Sequence, residues 1–251
     1  MTSSDLWDEE TAAAYDEASA AMFAPEALDP AVDFLADLAH EGRALEFAIG
    51  TGRVGIALAA RGISVSGVEL SEPMVAQLRR KIGEDQLPVV VGDMATTRVP
   101  GGFDLVYLVF NTIGNLRTQD EQVECFGNAA RHLRSGGRFV VEVGVPSLRR
   151  LPPGQLAVPF DIGEGHVGFD TFDLVTQQAQ SHHFYPAADG TVRYGLHNFR
   201  YVWPAECDLM ARLAGLELED RFADWHRNPF TADSESHVSV WRKPWSGGPS
   251  S

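Results

Sequence analysis

The sequence has few cysteines, few basic residues and no long apolar run. Cys125 and Cys207 show no metal-binding spacing, so we expect two buried thiols in a reducing compartment. Lys and Arg number 20 against 35 Asp and Glu, and the net charge of −15 disfavours a nucleic-acid partner. No apolar run approaches the roughly 20 residues of a membrane span, and the acidic start MTSSDLWDEE lacks a signal-peptide core. We therefore expect a soluble, cytoplasmic protein.

The middle of the chain alternates apolar strands with amphipathic helices. A chain of 251 residues with 44% hydrophobic residues can bury one full core. Such alternation predicts an α/β fold in which helices cover both faces of a parallel sheet. The predicted elements are a strand over 43–49, a helix over 54–61, a strand over 63–70, a helix over 72–82, a short buried strand over 88–91, a strand over 103–110, a helix over 119–133 and a strand over 138–143.

The two flanks of this region have other patterns. Residues 8–20 predict an amphipathic helix on which Tyr15 lies on roughly the same face as Trp7, either packed on the core or acting as a lid. A second helix is expected over 30–40. Residues 147–200, rich in Pro, Gly and polar–aromatic alternation, predict a β-rich cap or hairpin with its turn at 188–190. A helix over 204–213 and strands over 216–222 and 237–242 follow, the last strand antiparallel.

These patterns divide the chain into four parts. We expect an N-terminal helical lid over 1–40 and a core formed by 41–146 and 201–245. The β-rich insertion over 147–200 is expected on the substrate side, and residues 246–251 form a disordered tail.

A glycine turn joins the first predicted strand to the next helix. Gly50, Thr51 and Gly52 begin a G-x-G-x-x-G match, in which a ligand can lie directly on the backbone at the helix N-terminus. Glu69 ends the following strand, where a carboxylate can accept the hydroxyl protons of a ribose. An NAD-dependent oxidoreductase also fits this match, although no Tyr-x-x-x-Lys or His/Asp arrangement accompanies it.

Three further features favour a different nucleoside cofactor. Glu46 precedes the turn and gives E-x-A-x-G-x-G, Gly92-Asp93-Met94 follows the third strand, and HLRSGG precedes the strand FVVEV. With these motifs in order, the chain from about Tyr15 to Arg242 resembles the class I S-adenosylmethionine-dependent methyltransferases. It is most similar to small-molecule enzymes of actinomycetes, including amino-sugar N-methyltransferases, in its aromatic N-terminal helix, ELSEPM strand end, FNTIGNL loop and β-rich insertion.

The resemblance implies a fold, a cofactor and a set of binding residues. It implies a Rossmann-like seven-stranded sheet with a reversed last strand, and S-adenosylmethionine bound across the carboxyl ends of the first strands, with S-adenosylhomocysteine as product. At position 48 the family usually has glycine, and this chain has alanine. The implied cofactor residues are Tyr15, Ala48, Gly50, Gly52, Glu69, Leu70, Asp93, Met94, Phe110 and Asn111.

The same resemblance bears on the acceptor. The chain lacks the Asn/Asp-Pro-Pro-Tyr/Phe motif of DNA amino-methyltransferases and the acidic pattern that holds Mg²⁺ in catechol methyltransferases, so we expect no metal. We expect methyl transfer to a nitrogen, slightly ahead of an oxygen, of a small molecule such as a natural-product intermediate. A cofactor-binding module without transfer activity is the non-enzymatic alternative, and a homodimer is also considered.

Candidate catalytic residues come from the insertion and from the fifth strand. An amine must arrive unprotonated, whereas a hydroxyl needs a nearby base. A histidine titrates near physiological pH, which makes His182 and His183 candidate bases. Glu142, at the carboxyl end of the fifth strand, is expected to face the substrate. The loop carrying Trp225 could rim the site or cap the sheet.

Overall fold

The protein is built on one seven-stranded sheet. The computed structural model describes residues 2, 5, 7–147, 151–187 and 189–245. The strands of the sheet are β1 Arg43–Phe47, β2 Ser64–Glu69, β3 Val89–Val91, β4 Phe103–Leu108, β5 Leu133–Gly144, β10 Glu217–Phe222 and β11 Ser236–Arg242. The strand order is β10-β11-β5-β4-β1-β2-β3, and β11 runs in the direction opposite to the other six strands of this sheet. This confirms the predicted Rossmann-like fold with its reversed last strand.

Six α-helices in the described part of the chain accompany the sheet: α1 Glu9–Ala18, α2 Pro25–Ala39, α3 Arg53–Ala60, α4 Glu72–Arg79, α5 Gln119–His132 and α6 Pro204–Leu213. Local capping groups explain several of their starts. The Ser71 side chain caps α4, and Thr118 with Glu121 forms a capping box at the start of α5. No helix in the described ranges is long and apolar enough to cross a membrane.

Two local predictions were wrong. The second helix starts at Pro25 rather than near Pro30, because Pro25 occupies the first turn, where its missing N–H is harmless, and Pro30 is accommodated inside the helix. The strand β3 is not buried: it is the edge strand of the sheet, and Val91 is 47% exposed. Its apolar composition alone could not distinguish an edge strand from a central one.

The core consists of two apolar layers, one on each face of the sheet. Along β4, Val106 and Leu108 belong to the layer beneath α5 and α6, whereas Leu105 and Tyr107 belong to the layer beneath α2, α3 and α4. Successive side chains of a strand point to opposite faces, so a strand buried on both faces reads as a continuous apolar run.

The insertion forms a separate antiparallel sheet. Its strands are β6 Ala157–Ile162, β7 Val167–Phe172, β8 Gln178–Pro186 and β9 Val192–Arg200, paired in that order. The predicted hairpin is therefore present as β8 and β9, within a sheet of four strands. A small buried cluster of Val158, Phe172, Ala179 and Tyr201 stabilises it. Ala188 of the predicted turn and the predicted disordered tail over 246–251 lie outside the described residues.

Candidate functional site

A cleft lies at the carboxyl ends of the first parallel strands, beneath the N-terminal segment. The parallel pairing brings the ends of these strands to one edge of the sheet, which is where α/β proteins bind ligands. Most of the predicted cofactor residues line this cleft, namely Tyr15, Ala48, Gly50, Glu69, Leu70, Asp93 and Met94. It also includes residues that the sequence analysis did not single out as cofactor contacts: Asp5, Trp7, Met74, Gly92, Thr112 and Asn115.

The two glycines of the turn have different surroundings. Gly50 has a φ of +58°, and a Cβ placed there would meet nothing within 4 Å, so its backbone is open to a ligand. Gly52 is the left-handed N-cap of α3, with φ +86°. A Cβ at Gly52 would lie 2.8 Å from Ile56 and 3.1 Å from Leu78, and Gly52 is not among the cleft residues. A glycine is therefore needed at position 52 for the left-handed turn and for the close packing of Ile56 and Leu78 against it.

Ala48 lines the cleft in a left-handed conformation. Its φ is +51°, a region that residues with a Cβ rarely adopt. Such strain costs on the order of 1–3 kcal/mol and persists only where the surroundings impose it. This backbone conformation explains why the family usually has a glycine at this position. In this chain the alanine adds a methyl group to the cleft wall.

Glu69 is fixed beside the glycine turn. Its Oε2 accepts a hydrogen bond from the Gly50 N–H at 2.7 Å, and its Oε1 accepts one from the Ser71 N–H at 2.9 Å. The carboxyl group is buried, and this burial raises its pKa although the backbone hydrogen bonds act in the opposite direction. A carboxylate with four lone-pair sites can hold these two N–H groups and still accept from ribose hydroxyls.

Asp93 and Met94 lie near Glu69 because of strand register. Glu69 pairs with Val91 across β2 and β3, and its carbonyl accepts from the Gly92 N–H at 2.8 Å. Asp93 is half-buried and its Oδ1 accepts from the Ala95 N–H at 2.8 Å. The buried Met94 adds an apolar side chain to the same wall. Both carboxylates therefore belong to one cleft.

Glu46 lies directly below the glycine turn. It is buried, and its Oε2 accepts a hydrogen bond from the Tyr107 hydroxyl at 2.9 Å. Burial raises the pKa of Glu46 to about 8, so the group is mostly protonated at neutral pH. A Cβ at Gly55 would lie 2.7 Å from Glu46 Oε2, which explains the third glycine of the motif.

The N-terminal segment covers the cleft through Trp7 and Tyr15. Their rings meet edge to face with centroids 5.3 Å apart, and burial raises the pKa of Tyr15. The Ser71 hydroxyl donates to the Trp7 carbonyl at 2.7 Å. Asp16 accepts from the Thr51 hydroxyl at 2.6 Å and pairs with Lys81. These contacts hold α1 against the glycine turn and α4.

The other predicted residues lie outside the set that lines the cleft. Phe110 and Asn111 form a left-handed turn after β4, and Glu142 accepts from the Phe110 N–H and from Trp225. His182 and His183 are successive residues of β8 and so point to opposite faces of the cap sheet.

Each of the two histidines has a partner within the cap sheet. His182 Nδ1 is 2.8 Å from the Tyr194 hydroxyl. His183 Nδ1 is 3.0 Å from Nε2 of His166, whose Nδ1 is 2.6 Å from an Asp161 oxygen. Burial and the neighbouring histidines lower the pKa of His183. Among the described residues, no group of three or more His, Cys, Asp or Glu is placed to hold a metal ion.

Both cysteines are buried free thiols, as the composition predicted. Burial raises the pKa of Cys207 to about 12 and raises that of Cys125 further still. Neither thiol is therefore available as a thiolate nucleophile at neutral pH.

This fold and cleft define a nucleoside-cofactor protein of the Rossmann-like class, and comparisons identify its family. Residues 44–137 match the profile of the methyltransferase domain family. The CcbJ methyltransferase from Streptomyces caelestis is 37% identical with a TM-score of 0.77, over 86% of this chain and 88% of that one. The cypemycin N-terminal methyltransferase of a Streptomyces species is 28% identical over 250 residues, which is 96% of this chain and 98% of that protein.

A third comparison supports the fold. CalS10 from Micromonospora echinaspora, an amino pentose methyltransferase solved with S-adenosylmethionine bound, is 22% identical with a TM-score of 0.70, over 95% of this chain and 98% of that one. The chain belongs to the S-adenosylmethionine-dependent methyltransferases, and S-adenosylmethionine is its cofactor. The alternative of an NAD-dependent oxidoreductase is therefore wrong. The two converging carboxylates fit the cofactor's nucleoside, and the open backbone at Gly50 beside them leaves room for its methionyl part.

Proposed function

We propose that this enzyme is an N-methyltransferase whose acceptor is an amine of a small molecule made in natural-product biosynthesis. The full-length similarity to an enzyme that methylates the N-terminus of cypemycin supports an amino acceptor. A cytoplasmic location, a homodimer and the absence of a nucleic-acid partner stay predictions from the sequence.

The observation that carries the proposal is the composition of the cleft wall around Asp5. Besides Glu69 and Asp93, a third carboxylate, Asp5, lines the cleft together with the paired rings of Trp7 and Tyr15. A carboxylate beside aromatic faces attracts an ammonium group by charge and by cation–π interaction. Asp5 is itself oriented by Arg117 at 3.1 Å and by the Asn198 side chain of β9 at 3.2 Å. The cap sheet therefore contacts the cleft at this carboxylate.

The side chains of the cleft also favour an amine over a hydroxyl. Within the described residues, the cleft lining contains no histidine, and its three carboxylates are already engaged: Asp5 by Arg117 and Asn198, Glu69 by two backbone N–H groups, and Asp93 by the Ala95 N–H. An amine needs only to lose its ammonium proton, because its neutral form is already nucleophilic. The side chains of the cleft therefore suit an amine acceptor, which needs no base during methyl transfer, better than a hydroxyl acceptor.

The residues of the chain then perform binding, alignment and exclusion of water. When bound, S-adenosylmethionine supplies an electrophilic methyl group on a sulfonium. Glu69 would hold the ribose, Asp93 the adenine amino group, and the backbone at Gly50 the methionyl part. Asp5 would orient the amine, and Trp7 with Tyr15 would keep water out. Alignment of this type can contribute about 7–11 kcal/mol to lowering the barrier.

The test compares acceptors that differ only in the nucleophile. Purified enzyme with labelled S-adenosylmethionine is offered amino sugars and peptide α-amines beside the matching hydroxyl compounds, and products are identified by a mass gain of one CH₂. We expect methylation of amines only. Methylation of the hydroxyl compounds with the amines untouched would contradict the proposal.

A variant of Asp5 connects this test to the structure. Asp5→Asn should raise KM for an amine acceptor about tenfold or more, because one charge-assisted contact is lost, and leave adenosylhomocysteine affinity within about twofold. Glu9→Gln, on the exposed start of α1, is the matched control and should change neither value. An unchanged KM in Asp5→Asn would remove Asp5 from the acceptor site.

A further inference from the structure

The Glu142 carboxylate bridges two segments that are far apart in the sequence. Its Oε2 accepts from the Phe110 N–H at 2.8 Å, in the turn after β4. Its Oε1 accepts from the Trp225 indole N–H at 2.8 Å, in the loop between β10 and β11. Both oxygens are thus engaged by N–H donors, and Glu142 is not among the residues that line the cleft.

The turn after β4 needs such support because its backbone is strained. Phe110 has φ +57° and Asn111 has φ +61°, so two successive residues with side chains are left-handed. Two further contacts with β5 hold this conformation: the Asn111 N–H donates to the Glu142 carbonyl at 3.2 Å, and the Gly144 N–H donates to Asn111 Oδ1 at 2.6 Å. A third contact is local, because the Gly114 N–H donates to the Asn111 carbonyl at 2.9 Å.

The strained turn leads directly into the wall of the cleft. The next residues form the 3-10 turn Thr112–Asn115, and both Thr112 and Asn115 line the cleft. The direction in which the chain leaves Asn111 therefore sets the position of these two side chains. A change of the Phe110 or Asn111 backbone to an ordinary conformation would redirect the whole 3-10 turn.

Trp225 is itself held firmly on the opposite side of Glu142. Its ring meets Phe34 of α2 edge to face with centroids 5.4 Å apart. The Arg227 guanidinium lies 4.8 Å from the centre of the Phe34 ring and pairs with Asp37 at 3.0 Å. The indole N–H is thus a fixed donor that orients the Glu142 carboxylate.

We propose that Glu142 is a positioning residue, and that Glu142 with Trp225 holds the Phe110–Asn111 turn in the conformation that shapes the cleft wall at Thr112 and Asn115. Glu142 acts through the turn and takes no proton from the acceptor. The inference rests on the methyltransferase activity of the chain, but it does not depend on the acceptor being an amine.

The test uses two variants of the full-length protein that break the bridge from either end. Glu142→Gln keeps the shape of the side chain but leaves one N–H donor without an oxygen acceptor. Trp225→Phe keeps an aromatic ring and removes only the donor. Both should weaken adenosylhomocysteine binding about threefold to tenfold by calorimetry, since about one hydrogen bond is lost in each. The double variant should bind no more weakly than the weaker single variant, because both changes break one bridge.

A matched control and a pH profile separate positioning from catalysis. Glu219→Gln removes a carboxylate that pairs with Arg138 of β5 at 2.7 Å, away from the cleft, and should leave binding unchanged. With an acceptor in hand, the pH profile of kcat should keep its shape in Glu142→Gln. One outcome would identify Glu142 as a base and overturn the proposal. In that outcome Glu142→Gln binds adenosylhomocysteine normally but loses one limb of the pH profile, and Trp225→Phe behaves as wild type. Wild-type binding in both variants would also overturn it.

Discussion

Glu46 shows how a single buried carboxyl group can support a binding turn. The side chain lies between the Tyr107 hydroxyl and the backbone at Gly55. When the carboxyl group is protonated it carries no charge, so it can be buried there without contact with water. Its raised pKa follows from burial. The sequence showed Glu46 as part of a motif but gave no reason for an acid at that position.

This raised pKa predicts a pH dependence of stability. Between the unfolded pKa near 4.5 and the folded pKa of about 8, the folded state binds more protons than the unfolded state, so stability falls as pH rises. Glu46→Gln, which cannot ionise, should remove this loss. The free energy of unfolding of the variant should rise relative to wild type by up to about 1.4 kcal/mol per pH unit across this window.

Urea unfolding of both proteins at pH 5, 6, 7 and 8 measures this difference. Glu219→Gln, on a partly exposed surface ion pair, serves as the control and should run parallel to wild type. A constant difference between Glu46→Gln and wild type at every pH would mean that Glu46 is ionised in the folded protein.

The helix α1 is held over the cleft mainly by polar contacts. It has ten residues, and Ala12 is its one buried residue. Helices this short need tertiary contacts to be stable in water. Asp16 supplies two such contacts, to the Thr51 hydroxyl and to Lys81, whose ammonium group also donates to the Thr51 carbonyl at 3.0 Å. We therefore propose that α1 acts as a lid that can open without unfolding of the core.

Weakening this attachment should loosen the lid and reduce cofactor binding. Asp16→Asn removes an ion pair between partly exposed groups, which is worth about 0.2–1 kcal/mol, and so should weaken adenosylhomocysteine binding by up to about fivefold. Hydrogen exchange of α1 should become faster while that of β1 and β4 stays unchanged. The control Glu17→Gln changes the neighbouring exposed position on the same helix. Equal exchange in both variants and in wild type would show that Asp16 does not hold the lid.

Elements with local signals could be predicted closely from the sequence. The helices α4, α5 and α6 match their predicted starts at residues 72, 119 and 204, because caps and prolines act within one turn. The full cap sheet could not be predicted: β6 pairs with β7 as a local hairpin, but β6 contains Pro159 and its register shifts between Pro159 and Asp161, and a proline within a run argues against a strand. The exposure of β3 depends on its place at the edge of the sheet, which composition does not encode.

For the whole molecule, the topology explains why much of the site could be predicted and part of it could not. The carboxyl ends of the strands of a parallel sheet meet at one edge. Residues just after β1, β2 and β3 therefore lie close together, independently of the directions of their side chains. The positions of Glu142, His182 and His183 depend instead on where each side chain points. That direction is set by Trp225, His166 and Tyr194, which are remote in the sequence or lie on neighbouring strands.

We propose that Glu69 and Asp93 together hold the cofactor's nucleoside in the cleft beside Gly50. Calorimetric titration of adenosylhomocysteine into wild type, Glu69→Ala and Asp93→Ala tests it most directly, with Glu72→Ala on the exposed first turn of α4 as the control. We expect Glu69→Ala to lose about 1–3 kcal/mol of binding free energy and Asp93→Ala to lose less, with no tight binding of NAD to any of the proteins. Wild-type affinity in Glu69→Ala and Asp93→Ala, or tight NAD binding without adenosylhomocysteine binding, would contradict the account.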